Sequence, residues 1–352
     1  MYKIADTFIV GRFLGKNALA AVGSTYALTI FPYSIIIGLC MGSGSLVSYC
    51  FGERNEHRLK GCLNISFLMI GSVTLVAEPI TLCFSNEILK LSHTPMKIML
   101  LTSDHVRIIL SGVGLCFYTL AKEPLLRLSF KKKSWKDCSF GEVVRMSTAA
   151  SVQQSVMNFG ILMVQGLINS FGTAVMAGFA AAVKIDSFAY MPVQDFGNAF
   201  STFIAQNFGA GKHERIRKGI RVAVRVTLIF CLIISVLVFV LARPLMLIFI
   251  PAHETEIISI GVEYLRIEGA FYCGIGWLFL LYGFYRAVRK PGMSVVLTVI
   301  SLGVRVALAY TLAAIPGIGV WGIWWSIPIG WFLADIFGWC YYRMKQRKSL
   351  EW

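Results

Sequence analysis

The stretch that decides the fold is Ala174–Gly219, AVMAGFAAAVKIDSFAYMPVQDFGNAFSTFIAQNFGAGKHERIRKG. It begins with small apolar residues that are typical of a membrane helix. Five charged or amide side chains then follow in the same segment: Lys184, Asp186, Gln194, Asp195 and Asn198. An ionisable side chain at mid-membrane costs about 2.5–3.5 kcal/mol on insertion scales, and such residues face a partner or a cavity. Pro192 removes a backbone donor and predicts a kink. The stretch therefore predicts a membrane helix that carries function.

The composition of the whole chain points to the same class. The 352 residues are 57% hydrophobic and only 14% charged, and the mean hydropathy is +0.70. Soluble domains are about 45–50% apolar and about 25% charged. We therefore expect an all-α, polytopic helical membrane protein whose surroundings are the lipid bilayer. The net charge of +15 comes from basic residues between apolar segments, which is typical of cytoplasmic loops and argues against a nucleic-acid partner.

Apolar segments long enough to cross a bilayer recur along the chain, and we expect about ten spans. The second half predicts six, at about residues 146–171, 174–208, 219–242, 262–286, 292–314 and 318–342. The first half predicts a partial helix at 2–14, helices at about 18–50 and 62–84, and a short span at about 105–121. The basic linker before residue 139 divides an incomplete N-terminal bundle, 1–138, from a six-helix C-terminal bundle, 139–352. Alternation of basic and neutral loops predicts a multi-pass protein of the cell membrane with a cytoplasmic C-terminus.

An internal repeat relates the two halves. Phe51-Gly52 aligns with Phe208-Gly209 at an offset of about 157 residues, and a basic run follows each pair. The repeat predicts two pseudo-symmetric helical bundles, a plan in which the substrate site lies between them. The first half is shorter by roughly 55 residues, which corresponds to about two helices with their loop. The sequence therefore predicts an internal deletion of two helices and a first helix without its beginning.

Several motifs resemble the multidrug and toxic compound extrusion (MATE) family. They are DTFIVGRFLGKNALAAVG near the N-terminus, VSYCFGERNE, the stretch from Lys184 to Gly219, and YRAVRKPGMSVVL. The resemblance implies twelve helices in two six-helix bundles around a central cavity, where this chain has about ten. It also implies export of cationic, often aromatic compounds in exchange for Na⁺ or H⁺. The alternatives are a non-transporting remnant or truncated product of such a gene, and a lipid-carrier flippase, which would need a strongly basic cavity.

Asp6 and Asp186 are the principal candidate site residues. The resemblance links an Asp in the first-helix motif, here Asp6, to proton or drug coupling, whereas at the membrane surface it would merely be solvated. Asp186, Tyr190 and Gln194 lie on one face of a helix, as their spacing of four residues requires. An acid, a phenol and an amide on one face suit a hydrated path for a cation. The alternative for Asp186 is an internal ion pair with Lys184.

Four further expectations concern polar residues within the spans. Asn198 joins the candidate cation- or substrate-binding residues, and so does Asn158, for which a hydrogen bond between helices is the alternative role. Two ion pairs are predicted, one between Arg266 and Glu268 at the membrane surface and one between Arg305 and Asp335 deeper in the bilayer. A substrate contact is the alternative for Arg305 and Asp335. Motifs for nucleotide binding, hydrolysis or metal binding are absent from the sequence, so we expect secondary transport rather than enzymatic activity, without a cofactor or metal.

Overall fold

The computed structural model describes residues 15–83 and 140–347. Within these ranges the chain is helical, and the predicted all-α class is confirmed. In chain order the helices are α1 Gly15–Gly52, α2 Glu56–Cys83, α3 Phe140–Asn169, α4 Thr173–Gly209, α5 His213–Phe249, α6 Thr255–Ala270, α7 Tyr272–Ala287, α8 Pro291–Ala313 and α9 Val320–Arg347.

Six of these helices, α1, α2, α4, α5, α8 and α9, are long and apolar enough to cross a membrane. A seventh crossing is available if α6 and α7, which are bent by 54° relative to each other, form one span. The expected total of about ten spans stays a prediction, because the proposed helices at 2–14 and 105–121 lie outside the described residues. The division at residue 139 into two bundles also stays a prediction for the same reason.

The bend between α6 and α7 corrects the sequence reading, which predicted one continuous helix over 262–286. The helix breaks at Phe271, whose ring packs against Trp325 and Phe332 with centroid distances of 5.6 and 5.8 Å. Gly269 and Gly274 flank the break, and glycine is a weak helix former. Packing of the Phe271 ring therefore competes successfully with helix continuation at this point.

The core of the second half is built around α4. This helix packs against α5, α6 and α7, and Gly197 allows a close approach to α7, because an added Cβ would lie 3.0 Å from the carbonyl oxygen of Phe279. Phe179 also contributes to a buried aromatic group in which its ring stacks on Trp324 at 5.5 Å. Tyr264 packs edge-on against both of these rings. Small residues and aromatic rings together fix the position of α4.

Helix α1 joins the first half to the second by packing along α3 and α4. Gly38 and Gly42 lie against the α3 backbone so closely that a Cβ at either position would overlap Ser151 or Met146. These two glycines therefore let the membrane helices approach closely, whereas Gly44 has no neighbour within 4 Å.

The repeat-related ends of α1 and α4 meet at one end of the molecule. Gly52 lies against the backbone of Gln206, and Gly209 lies against the backbone of Tyr49. These contacts are reciprocal under the offset of about 157 residues that the sequence repeat predicts. We call this end the basic face; it contains the ends of α1 and α4 and the segments 53–60 and 212–218, which lead into α2 and α5. The predicted repeat therefore coincides with a two-fold-like crossing of α1 and α4.

Candidate functional site

Asp186, the acid singled out by sequence, lies inside the second half rather than at its surface. Its side chain is 6% exposed, and one carboxylate oxygen, Oδ1, accepts a hydrogen bond of 2.7 Å from the hydroxyl of Tyr272. Tyr272 is the first residue of α7. The break at Phe271 restarts the helix at this residue, so the bend positions the phenol against α4.

Glu268 and Arg305 complete a charged group around Asp186. Glu268, on α6, is 4% exposed and interacts electrostatically with both Asp186 and Arg305. Arg305, on α8, interacts with Glu268, Asp186 and Tyr190. We call Asp186, Glu268, Arg305, Tyr272 and Tyr190 the carboxylate cluster. Four helices, α4, α6, α7 and α8, each contribute to it.

Both ion pairs expected from sequence are wrong. Arg266 is exposed, and its guanidinium lies over the ring of Phe239 at 5.4 Å, whereas Glu268 is buried. Residues two apart on a helix do not face each other, which is why Arg266 and Glu268 separate. Arg305 lies near Asp186 and Glu268, while neither carboxylate oxygen of Asp335 has a hydrogen-bond partner among the residues described.

The carboxylate cluster contains more negative than positive side chains. Two carboxylates, Asp186 and Glu268, interact electrostatically with one guanidinium, that of Arg305. In addition, Oε2 of Glu268 has no hydrogen-bond partner within 15–83 and 140–347. Charges buried among helices require compensation, since an isolated ionised carboxylate in a low dielectric is strongly disfavoured. One further positive charge, from a proton or a small monovalent cation, would balance the group, and carboxylate and phenol oxygens are suitable ligands for a hard cation.

The other predicted residues of α4 spread along the helix. Tyr190 is half-buried and belongs to the carboxylate cluster through Arg305. Gln194 is half-buried one helical step further. Asn198 accepts a hydrogen bond of 3.1 Å from the buried Arg286, and the helical rise places it about 18 Å from Asp186. Lys184 is exposed while Asp186 is buried, so the alternative Lys184–Asp186 pair does not form.

Asn158 lies apart from this group. The Asn158 amide donates a hydrogen bond to the hydroxyl of Ser34, which ties α3 to α1. This is the interhelical role that the sequence left open for Asn158. Asp6 lies outside the described residues.

Sequence reasoning missed Tyr272, and it assigned Glu268 and Arg305 to the wrong partners. A signal for Arg305 was present, because it is the one charged residue within Pro291–Ala313, and a charged residue inside a span is a functional candidate by default. The contribution of Tyr272 depends on the bend at Phe271, which the sequence pattern did not predict.

A second charged group lies at the basic face. Arg58 binds Glu53 at 2.7 Å and Glu142 at 2.9 Å, and Arg289 forms an ion pair with Glu142. Both guanidiniums lie over the ring of Tyr49, at 5.7 Å for Arg58 and 5.0 Å for Arg289. We call these five residues the basic-face cluster.

The basic-face cluster connects the two halves of the chain. Glu53 lies in the α1–α2 loop, and Arg58 lies near the start of α2. Glu142 is in the first turn of α3, and Arg289 lies in the α7–α8 loop. Glu142 is 9% exposed, so these ion pairs are shielded from water more than ordinary surface pairs. The cluster therefore fastens the ends of α1 and α2 to the second half.

Comparison with known proteins places the chain among membrane transporters. The MatE family matches residues 1–127 and 149–311. The probable multidrug resistance protein YoeA of Bacillus subtilis (strain 168) is 22% identical over 426 residues, covering 99% of this chain and 90% of the relative. Because that alignment is longer than the 352 residues of this chain, the relative has residues without a counterpart here.

Two further similarities bear on substrate and fold. The FAD transporter of Shewanella oneidensis is 21% identical over 411 residues, covering 97% of this chain and 89% of the relative. A solved MOP superfamily transporter from Pyrococcus furiosus, described as having a binding pocket of reverse polarity that suggests a different function, superposes with a TM-score of 0.87. It is 16% identical, and the superposition covers 98% of this chain and 91% of that one. The fold around the carboxylate cluster is therefore that of these transporters.

Proposed function

The chain belongs to the MATE family, and we propose that it is a secondary transporter that exports small organic cations, often aromatic, in exchange for Na⁺ or H⁺. The observation that carries this proposal is the excess negative charge of the carboxylate cluster. Asp186 and Glu268 are both buried, and they share the single guanidinium of Arg305. A coupling ion that binds there would neutralise the group, and its release would restore the excess charge.

The direction of exchange is supported by the position of the cluster. Basic loops at one end of the molecule favour placing the basic face in the cytoplasm of a cell membrane, with the C-terminus on the same side. Along α4, Asp186 precedes Gly209 by a helical distance of about 35 Å, so it lies far from that face. With α1 and α4 in contact at the basic face, an ion reaching Asp186 would come from outside the cell. This agrees with inward ion flow driving export.

Binding of the ion is linked to the movement of substrate through the charge state of α4. Asp186, Tyr190 and Gln194 share the side of α4 that sequence reasoning assigned to a hydrated path. With the cluster neutralised, burying this side of α4 becomes cheaper, because no uncompensated charge has to be desolvated. With the ion released, the same burial is disfavoured. The proposed coupling is therefore a difference in stability between open and closed arrangements of the two halves, and the site in the first half that Asp6 implies stays part of the proposal.

An anionic aromatic substrate is the second candidate, because one relative is named an FAD transporter. Within the chain, Arg286 supports it: the guanidinium is buried, and its Nε has no partner among the described residues. A substrate phosphate would suit a guanidinium with a free donor. The two candidates differ in the charge of the exported compound, so one assay separates them.

The test is transport by the purified protein in liposomes with imposed Na⁺ or pH gradients. We expect gradient-driven movement of ethidium, and Asp186→Asn should reduce its rate at least tenfold, because the excess charge is removed. Asp195→Asn is the matched control, since Asp195 is an exposed acid on the same helix. Movement of FAD instead of ethidium would select the second candidate. A folded wild-type protein that moves neither compound under either gradient would favour the non-transporting alternative.

A further inference from the structure

Two adjoining cavities lie between α5, α7 and α9. The inner cavity has a volume of about 410 Å³ and is lined by apolar and aromatic side chains, including Val224, Trp277, Leu281, Phe332 and Trp339. Its one acid, Asp335, has both oxygens buried, so the surface that the cavity offers is apolar. The inner cavity is therefore suited to a hydrocarbon chain.

The outer cavity, of about 670 Å³, opens at the basic face. It shares Ile220, Phe284, Trp339 and Tyr342 with the inner one, so the two cavities adjoin across these side chains, and we call them together the slot. Its lining adds three guanidiniums: Arg217, Arg221 and Arg343. The slot is thus basic at its mouth and apolar at its inner end. This arrangement is complementary to an anionic lipid, which has a negatively charged headgroup and apolar acyl chains.

Within the described part of the chain, the positive charge at the mouth is not balanced by acidic side chains. No carboxylate lines the outer cavity, and the ion pairs found within the described ranges do not include any of the three arginines. Arg343 is held over the ring of Trp339 at 5.2 Å, and Trp339 stacks on Tyr342 at 5.6 Å. The aromatic stack fixes one guanidinium at the boundary between the basic and apolar parts of the slot.

We propose that this slot binds an anionic phospholipid, with the headgroup phosphate on Arg217, Arg221 and Arg343 and one acyl chain in the inner cavity. Basic pockets between membrane helices bind anionic headgroups by charge attraction. The slot lies beside α5, whose apolar side chains such as Val222, Ile229 and Val236 are exposed and face lipid. Assignment to the cytoplasmic leaflet rests on the orientation proposed above, whereas the binding itself does not.

Other occupants fit the slot less well. An organic cation of the kind proposed for transport would be repelled by three guanidiniums at the mouth. Free phosphate would engage the arginines but would leave the apolar inner cavity unfilled. A lipid satisfies both ends, because its phosphate meets the arginines while its acyl chain buries apolar surface in the inner cavity.

The test is native mass spectrometry of the detergent-solubilised protein titrated with phosphatidylglycerol or phosphatidylcholine. Wild type should bind phosphatidylglycerol more tightly than phosphatidylcholine. Near a charged surface each basic residue contributes about fivefold to affinity, so Arg217→Gln/Arg221→Gln/Arg343→Gln should lose at least tenfold for phosphatidylglycerol. Arg225→Gln is the control, because Arg225 is an exposed residue of α5 outside the slot.

A second variant tests the apolar end without touching the charges. Val224→Trp fills the inner cavity from α5 and should weaken phosphatidylglycerol binding as well, whereas Val222→Trp, on the exposed side of the same helix, should not. Equal binding of both lipids to wild type, or unchanged binding in both slot variants, overturns the proposal. Displacement of the lipid by millimolar inorganic phosphate would identify a simple anion site instead. The experiment measures lipid binding, so its result does not depend on whether the protein transports the substrates proposed above.

Discussion

The carboxylate cluster and the basic-face cluster are both built from acids and arginines, but their charges are balanced differently. The carboxylate cluster has two acids, Asp186 and Glu268, for one arginine. The basic-face cluster has two acids, Glu53 and Glu142, for two arginines. Within residues 15–83 and 140–347 the first group lacks a second positive partner, whereas the second group is already neutral.

The two clusters also differ in what they connect. The carboxylate cluster lies within the second half, between α4, α6, α7 and α8, while the basic-face cluster joins the α1–α2 segment to α3 and the α7–α8 loop. A neutral cluster between the halves stabilises one arrangement of them. An unbalanced cluster inside one half responds to ions. In the proposed transporter, ion binding at the carboxylate cluster would change the free energy of the arrangement of the two halves that the basic-face cluster stabilises.

The largest expected effect comes from removing the arginine of the carboxylate cluster. Arg305→Gln removes the guanidinium that interacts electrostatically with Asp186 and Glu268, and leaving a buried charge uncompensated in this way destabilises by about 3–5 kcal/mol. The measurement is thermal unfolding of the purified protein in detergent. The double variant Arg305→Gln/Glu268→Gln removes one carboxylate as well and should recover most of the loss.

The control for this pair of variants is Arg243→Gln, which changes an exposed arginine of α5 and should leave the unfolding temperature unchanged. If the double variant is as unstable as Arg305→Gln alone, then Arg305 stabilises the helices by packing rather than by balancing charge. The excess charge would then no longer distinguish the two clusters.

The sequence predicted the helix that carries the site better than the site itself. The cost of burying Asp186 in an apolar segment is visible from local composition, and so is the position of Tyr190 on the same face. The partners of Asp186 come from α6, α7 and α8, about 80 to 120 residues further along the chain. Their convergence depends on the bend at Phe271, which arises from aromatic packing between distant segments. Local sequence patterns do not predict packing between segments that are far apart in the chain.

The basic face was predictable in outline and not in detail. The repeat of Phe51-Gly52 and Phe208-Gly209 identified the two helix ends that meet, because both need glycine for close approach. The ion pairs of Glu142 with Arg58 and Arg289 depend on residues from three separate segments. Sequence reasoning assigned the basic residues of this region to solvated loops, which describes Arg54 and Lys60 but not Arg58, whose side chain is 21% exposed.

An intermediate effect is expected at the basic-face cluster. Glu142→Gln removes the shared acceptor of Arg58 and Arg289, and hydrogen bonds to charged groups contribute about 1.5–3 kcal/mol each to stability. We expect a loss of about 2–3 kcal/mol, since both guanidiniums keep the ring of Tyr49 and Arg58 keeps Glu53. Detergent unfolding measures it. Ser201 lies next to the α1–α4 crossing. In liposomes, the Ser201→Cys thiol should react faster with a water-soluble maleimide when Glu142→Gln is also present than when Glu142 is intact.

The matched control is Glu56→Gln, which breaks the exposed pair with Lys60 and should change neither stability nor cysteine reactivity. Unchanged reactivity at position 201 in Glu142→Gln would show that the basic-face cluster does not hold the halves together. The balanced charge of the basic-face cluster would then have no effect on the arrangement of the two halves.

The smallest effect tests the backbone beside the basic-face cluster rather than its charges. Arg54 has φ 57°, and its repeat-related position, Gly211, has φ 67°. In this left-handed region a side chain is disfavoured, but glycine loses more chain entropy on folding, so Arg54→Gly should stabilise the protein by only about 0.5–1 kcal/mol. Gly211→Ala, the reciprocal change, should destabilise it. Both are measured by unfolding in detergent with Glu53 and Arg58 intact. Because Arg54 takes no part in the ion pairs, cysteine reactivity at position 201 should stay at the wild-type rate. A faster rate in Arg54→Gly would mean that the loop conformation, and not the charge balance, sets how firmly the two halves are joined.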